Sequence, residues 1–390
     1  MNKKILTLAA LSIVPIATIV SCANTKQSVK KLADVQNQKL LWQHAGDLPA
    51  QKGYEKNVGV AGLLQGTIGN LIVVGGGTNF PEALENGGKK VTHKDLYLLK
   101  DVNNKLEVQD QLQLDHEIGY GASVNVPEQN AIYYLGGSPN QEHWRDVKKV
   151  TIVNNKLKVE VVGQLPLAFE SGVANYKDGK IYFGVGKFEN AEKKLANSNK
   201  FFVYDLQMNK TEELSAFPGE ARQQTVGQIL DNKFYVFSGG SNVSYTDGYA
   251  YDLDKKVWNK VGDVDVEGQK LLLLGANSIK ISDTKMMIIG GFNYDLWNDA
   301  NKQLSTLKDQ ALADYKKIYF GAEVSWYGWN KKILIYDSLT DKWSSIGEIP
   351  FDAPCGHALV ALNENVYSIN GEIKPGVRTN RMYKASVELK

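Results

Sequence analysis

Cysteine is almost missing from this chain: Cys22 and Cys355 are the two it has. With Cys22 claimed by the N-terminal segment described below, Cys355 has no partner, and an intramolecular disulfide is excluded. No thiol-enzyme motif surrounds Cys355, which stands between Pro354 and Gly356 and is expected to be a buried structural thiol. Histidine is scarce as well. There are five, no two at ligand spacing in the sequence, so no zinc or iron site is expected. Neither sign of charge dominates: 45 basic residues face 43 acidic ones, for a formal net charge of +2. That balance argues against a nucleic-acid partner, which needs a basic face. Long apolar runs are lacking. The one candidate, from Ile5 to Val20, falls short of the ~20 residues a spanning helix needs and is diluted by Pro15, Thr7, Ser12 and Thr18.

What that run does suit is export. Lys3 and Lys4 precede it, and a short apolar stretch behind two positive charges is a signal-peptide pattern. It ends in Ile19-Val20-Ser21-Cys22, which resembles a bacterial lipobox: a branched apolar residue, a small residue, then the cysteine that takes the lipid. The expectation is a lipoprotein signal peptide over 1–21, lipidation of Cys22, and a polar, flexible tether completing 22–38. The protein is then an exported bacterial lipoprotein, anchored to a membrane on its extracytoplasmic side, periplasmic or at the cell surface. Residues 39–390 form the folded domain.

Glycine (36) and tyrosine (19) are plentiful, and with the β-branched residues they favour an all-β chain with tight turns. That chain repeats itself. Each unit has an apolar strand, a turn, and a second strand running into glycine: Asn70 to Gly76, Ala131 to Gly137, Lys180 to Gly184, Lys233 to Gly240, Lys285 to Gly291 and Asn365 to Gly371. A later strand carries Tyr-Asp (Tyr204-Asp205, Tyr251-Asp252, Tyr336-Asp337), followed by Trp258 or Trp343 in two of the units. This is a Kelch pattern with a period near 50 residues. Six such strands predict a six-bladed Kelch-type β-propeller. Its last blade lacks a strand within the C-terminal segment. Lys39 to Pro49, with Trp42 and a Leu48-Pro49 ending, matches the outer strand Lys342 to Pro350, so the N-terminal strand is expected to complete that blade.

The loops after the second strands should gather at one mouth of the disc, where ligands bind. The longest, Phe292 to Lys332, carries Leu304, Leu307, Ala311, Leu312 and Tyr315 at helical spacing and predicts a short helical insert in blade five. Its aromatics (Phe292, Tyr294, Trp297, Trp326, Tyr327, Trp329) could meet a sugar face, though packing accounts for most of them. In the last loop, Pro375-Gly376 is a turn pair that can bring Glu372 and Arg378 to one side of the mouth. On chemistry alone this is equally a solvated surface ion pair.

Asn370-Gly-Glu-Ile-Lys-Pro-Gly-Val-Arg-Thr379 resembles the signature loop of the N-acetylneuraminate epimerases, or sialic acid mutarotases, which are bacterial Kelch-type propellers. Phe217 to Gln224, Gly59 to Gly62 leading into Gly75-Gly76-Gly77, and the helical insert are similar to further family segments. One departure is clear. In better-known members the signature blade is internal; here its halves stand at the two ends, as in the cyclically permuted branch of the family. The resemblance implies interconversion of the α and β anomers of N-acetylneuraminate without a cofactor. Glu372 is then the acid/base group and Arg378 the clamp for the sugar's carboxylate; Arg222, Gln224 and Asn293 are implied as weaker substrate contacts. The implied partners are a small sugar acid and, through the lipid, a membrane, with no nucleic acid and no metal. A non-catalytic propeller that binds sialylated glycan or protein is the alternative, and a different enzyme on the same fold is another. A sialidase is argued against by the missing Ser-x-Asp-x-Gly-x-x-Trp boxes.

Overall fold

The computed structural model describes residues 39–387. The signal peptide, Cys22 and the tether expected at 22–38 lie outside the described residues.

The described chain is strand-rich. It contains six four-stranded antiparallel sheets. Each predicted second strand is the second strand of a sheet: Leu71–Gly75, Ala131–Leu135, Lys180–Gly184, Lys233–Phe237, Lys285–Ile289 and Asn365–Ile369. These strands read as continuous apolar runs because they are covered on both faces; all five residues of Ala131–Leu135 are buried. The outer strands instead alternate or are open, as in Lys342–Glu348. Tight hairpins join third to fourth strands. At Asn103-Asn104 and Asn154-Asn155 both central residues have positive φ, 52° and 67° and then 51° and 61°, the twist a two-residue hairpin requires.

The sixth sheet draws on both ends of the chain. Leu40–Asp47 pairs antiparallel with Arg381–Val387, with a bulge between His44 and Gly46. Trp42 sits edge-on to Phe351 at 5.2 Å, and Phe351 stacks on Tyr383 at 3.8 Å.

Six apolar clusters lie between the sheets, one for each neighbouring pair, including one that joins the sixth sheet to the first through Val360, Tyr367, Val74 and Leu99. The first strands also touch in succession: Leu64–Ile68, Ala122–Val126, Val173–Lys177, Val226–Leu230, Asn277–Lys280 and Ala358–Leu362, the last lying against the first. Glycines at the ends of the second strands permit this closeness. Gly136 has φ +62°, and a Cβ there would fall 2.1 Å from the Phe169 carbonyl oxygen.

A backbone motif recurs two residues before each first strand. Gly62, Tyr120, Ser171, Gln224, Gly275 and Gly356 all have left-handed φ, between 54° and 76°. They are joined head to tail. Gly356 N–H donates to Gly275 O (2.6 Å), Gly62 to Gly356 (2.7 Å), Tyr120 to Gly62 (2.8 Å), Ser171 to Tyr120 (2.7 Å) and Gln224 to Ser171 (2.6 Å). Among the described residues no such bond joins Gly275 N–H to Gln224 O.

The insert corrects the expected single helix. It is two helices, α1 (Tyr294–Thr306) and α2 (Asp309–Gly321). Leu307 and Lys308 are extended between them, so the apolar spacing that suggested one helix straddles a break. The buried apolar residues of the insert are Ala300, Tyr319 and Tyr327.

Replacing Trp42 by Ala is expected to lower stability by about 2 kcal/mol, less than the ~3–5 of a fully buried aromatic because Trp42 is half-buried. Urea unfolding followed by far-UV circular dichroism measures it.

Candidate functional site

A cavity of about 370 Å³ lies where the first strands and the residues just before them converge. All six left-handed residues line it, together with Phe292, Trp297, Cys355, His357 and Glu372.

Glu372 and Arg378 are brought together as the Pro-Gly turn suggested. Glu372–Lys374 and Val377–Arg378 form a small hairpin in which the two residues stand opposite each other. Gly376 supplies the turn at φ +83°, and a Cβ there would meet the Leu84 side chain at 2.6 Å. Two further ties fix the hairpin. Glu372 and Cys355 exchange backbone N–H···O bonds, each 2.8 Å. Lys374 Nζ donates to the Ala322 and Phe320 carbonyl oxygens at 2.8 and 3.3 Å, a cation closing the C-terminal end of α2.

The carboxylate is held asymmetrically. Oε1 of Glu372 accepts from Gly376 N–H at 2.8 Å and lies 2.9 Å from Arg378 Nη1. Oε2 has no partner among the described residues. Burial pushes the Glu372 pKa above its ordinary value; Arg378, the Gly376 N–H and Lys90 oppose that shift and do not cancel it. The Arg378 side chain is 3% exposed and its guanidinium stacks on Phe80 at 4.7 Å. Its Nε and Nη1 make no aligned hydrogen bond, so the contact to Glu372 is a close ion pair that leaves donors open. Arg378 is not on the wall of the central cavity; it borders a second pocket with Asn370 and Thr379 on the other side of the hairpin.

Among the weaker contacts, Gln224 is on the cavity wall, at φ +54°. Arg222 is not. Its side chain is 0% exposed and engages Asp247 through both terminal nitrogens, with Nε donating to Glu220 O at 2.9 Å. The guanidinium is packed between Tyr245 (4.0 Å) and Phe217 (5.1 Å). A group so enclosed holds the segment leading to Gln224 and does not face the cavity. Asn293 is also placed elsewhere: its Oδ1 caps α1 by accepting from Leu296 N–H at 3.0 Å. Of the insert's aromatics, Phe292 and Trp297 reach the cavity, whereas Tyr327 is buried against Tyr319 and Trp329 packs edge-on to Phe292. Cys355 is buried and burial raises its thiol pKa, which makes it inert; its backbone is what serves the site.

Sequence reasoning missed three features. Tyr120 and His357 enter the cavity from strand-leading segments, and neither lies in a motif. His357 is 1% exposed, kept neutral by burial with its pKa lowered to about 3, and neither ring nitrogen has a partner. The third is a cluster outside the cavity. His116, His143 and Asp146 meet with donor atoms within 4.8 Å of one another, although no sequence spacing linked the two histidines. The imidazoles are stacked face to face at 3.6 Å, so their lone pairs lie in parallel planes, and Lys148 Nζ occupies the same Asp146 oxygen at 2.9 Å. This arrangement does not fit a metal.

Against this geometry stand the comparisons with known proteins. The family model described as N-acetylneuraminate epimerase matches residues 163–390, which include the hairpin, sheets three to five and three of the four strands of the sixth. A Kelch domain-containing protein of Vibrio cholerae is 30% identical over 236 residues, covering 57% of this chain and 63% of that protein. The N-acetylneuraminate epimerase of Salmonella typhi is 30% identical over 217 residues, 53% of each chain. The chain thus spans about half the length of the curated epimerases it matches. A solved structure titled "Structure of YjhT" aligns with a TM-score of 0.51 at 24% identity, over 59% of this chain and 68% of that one, a likeness of fold.

The buried Arg222–Asp247 pair yields a test that separates packing from binding. Removing one partner of such a pair costs roughly 3–5 kcal/mol. Asp247→Ala is therefore expected to lower the thermal midpoint by many degrees, measured by calorimetry.

Proposed function

The chain belongs to the N-acetylneuraminate epimerase family, and on that premise we propose that it interconverts the α and β anomers of N-acetylneuraminate by acid/base ring opening and closure. The observation that carries this reading is the asymmetric carboxylate. Glu372 lines the cavity and is fixed at Oε1 by Gly376 and Arg378, while Oε2 has no partner among the described residues. A base must be rigid and must keep one oxygen unengaged, and this one does.

The anomeric hydroxyl gives its proton to Glu372, its electrons form the ketone, the ring bond breaks and the ring oxygen is protonated. Reclosure on the other face reverses each transfer. Arg378 stays charged and cannot be the base. It holds Glu372 at Oε1, and because its guanidinium stands off the cavity wall, the clamp on the sugar's carboxylate expected of it is not part of this reading. No cofactor is needed for such a reaction.

We read the six sheets as six blades of one ring, completed by Leu40–Asp47. In a permuted chain, a colinear match can follow the family on one side of the cut at a time, and a match confined to 163–390 agrees with that. Export and anchoring through Cys22 are part of the same proposal; Cys22→Ser is expected to move the protein from the membrane to the soluble fraction on cell fractionation.

Proton NMR of freshly released α-anomer tests the activity. The unsubstituted protein should hasten equilibration, and Glu372→Gln should lose about 100-fold or more of the rate. No acceleration by the unsubstituted protein would favour a sugar-binding propeller without catalysis. The pH dependence has a definite sign. Protonated Glu372 is not a base, so the rate should be high at neutral pH. It should fall on acidification through a midpoint above the ordinary carboxylate range, because burial raises that pKa. A midpoint at or below that range would contradict the assignment.

A further inference from the structure

Six residues occupy equivalent left-handed positions around the cavity, and one is out of character. Three are glycines (Gly62, Gly275, Gly356), two are Ser171 and Gln224, and the sixth is Tyr120 at φ +62°. A bulky aromatic there is a backbone outlier, kept where its surroundings over-determine it. The surroundings do so. Its ring lies against Gly62, where a Cβ would come within 2.7 Å of a ring atom. Its N–H and C=O are both in the head-to-tail bonds to Gly62 and Ser171.

The position delivers a phenol to the site. Tyr120 is on the cavity wall with Glu372. Its hydroxyl accepts from Thr78 Oγ1 at 3.5 Å, and the Arg378 charge is near enough to act on it. Lys90 Nζ stands over the ring at 5.7 Å. Base and guanidinium, from one hairpin, thus meet a phenol from a distant segment of the chain.

We propose that Tyr120 is a catalytic residue, giving its phenolic proton to the ring oxygen as Glu372 takes the proton of the anomeric hydroxyl. This rests on the anomer-interconverting reading. The steps balance. The O–H pair of the anomeric hydroxyl becomes the second C–O bond of the ketone. The pair of the broken ring bond goes to the ring oxygen, which binds the Tyr120 proton. Glu372 is left as the acid and Tyr120 as a phenolate beside Arg378. On reclosure the new ring oxygen returns its proton to Tyr120, and the new anomeric oxygen takes the proton from Glu372. Nothing is consumed. Burial and the nearby Glu372 raise the phenol's pKa while Arg378 lowers it, so the phenol begins each cycle protonated. A donor of that kind complements a base in the same wall.

Tyr120→Phe keeps the ring and removes the hydroxyl. The NMR anomerisation assay is expected to show kcat reduced about 100-fold, with KM changed by less than about threefold and an unchanged thermal midpoint. Unchanged kcat in this variant, beside an active unsubstituted protein, overturns the proposal and leaves the activity standing. An inactive unsubstituted protein removes both. Should Tyr120→Phe fold poorly, 3-fluorotyrosine at 120 supplies the second readout. Its lower intrinsic pKa should move the alkaline limb of the kcat profile to lower pH, which a packing role would not do; an unmoved limb counts against the proposal.

Discussion

Five backbone hydrogen bonds, each from one left-handed residue to the next, tie the six sheets together at the cavity. Sheets packed face to face can slide, since apolar contact is not directional. An N–H···O bond is directional, and a series of them fixes how far each first strand reaches toward the centre. Because every left-handed residue stands two positions before its strand, the bonds also set where each strand begins. The cavity's wall therefore consists of these residues and their immediate successors, and its shape follows from the bonding pattern.

The site inherits this rigidity. Glu372 hangs from Cys355, which adjoins the left-handed Gly356; Tyr120 is itself a member of the series. The helical insert adds a support from above, through Lys374 at the end of α2. Cys355, Gly376 and Lys374 hold the carboxylate without touching its free oxygen. Rigid placement of this sort is what the proposed proton transfer requires if it is to be faster than in water.

Much of the fold was legible because its signals repeat. A second strand covered on both faces is mostly apolar and ends in glycine where sheets crowd, and that combination recurs six times in the sequence. The strand Leu40–Asp47 was legible through its likeness to Lys342–Glu348, which occupies the same outer place in another sheet. The hairpin was legible because a Pro-Gly turn has few geometries. The misreadings have physical causes too. Arg222 looked like a ligand-binding arginine, but a buried guanidinium with an aspartate 25 residues away leaves no local pattern. Asn293 was read for its neighbourhood, although an asparagine before a helix is first of all a cap. The apolar spacing of the insert crossed a break because two short helices in series keep nearly the same period. Tyr120 went unseen because left-handed backbone is usually sought at glycine.

The pairing of Leu40–Asp47 with Arg381–Val387 has a consequence for the order of assembly. A nascent chain emerges from its N-terminus, and β-structure built from distant segments forms slowly. Sheets one to five can each pair from contiguous sequence as they appear, but the sixth, which holds the Glu372–Arg378 hairpin between its second and third strands, waits for nearly the last described residue. The first described strand is thus held unpaired longest, with its edges open to other chains. The sheet that holds the hairpin is completed only when the two most distant described segments meet.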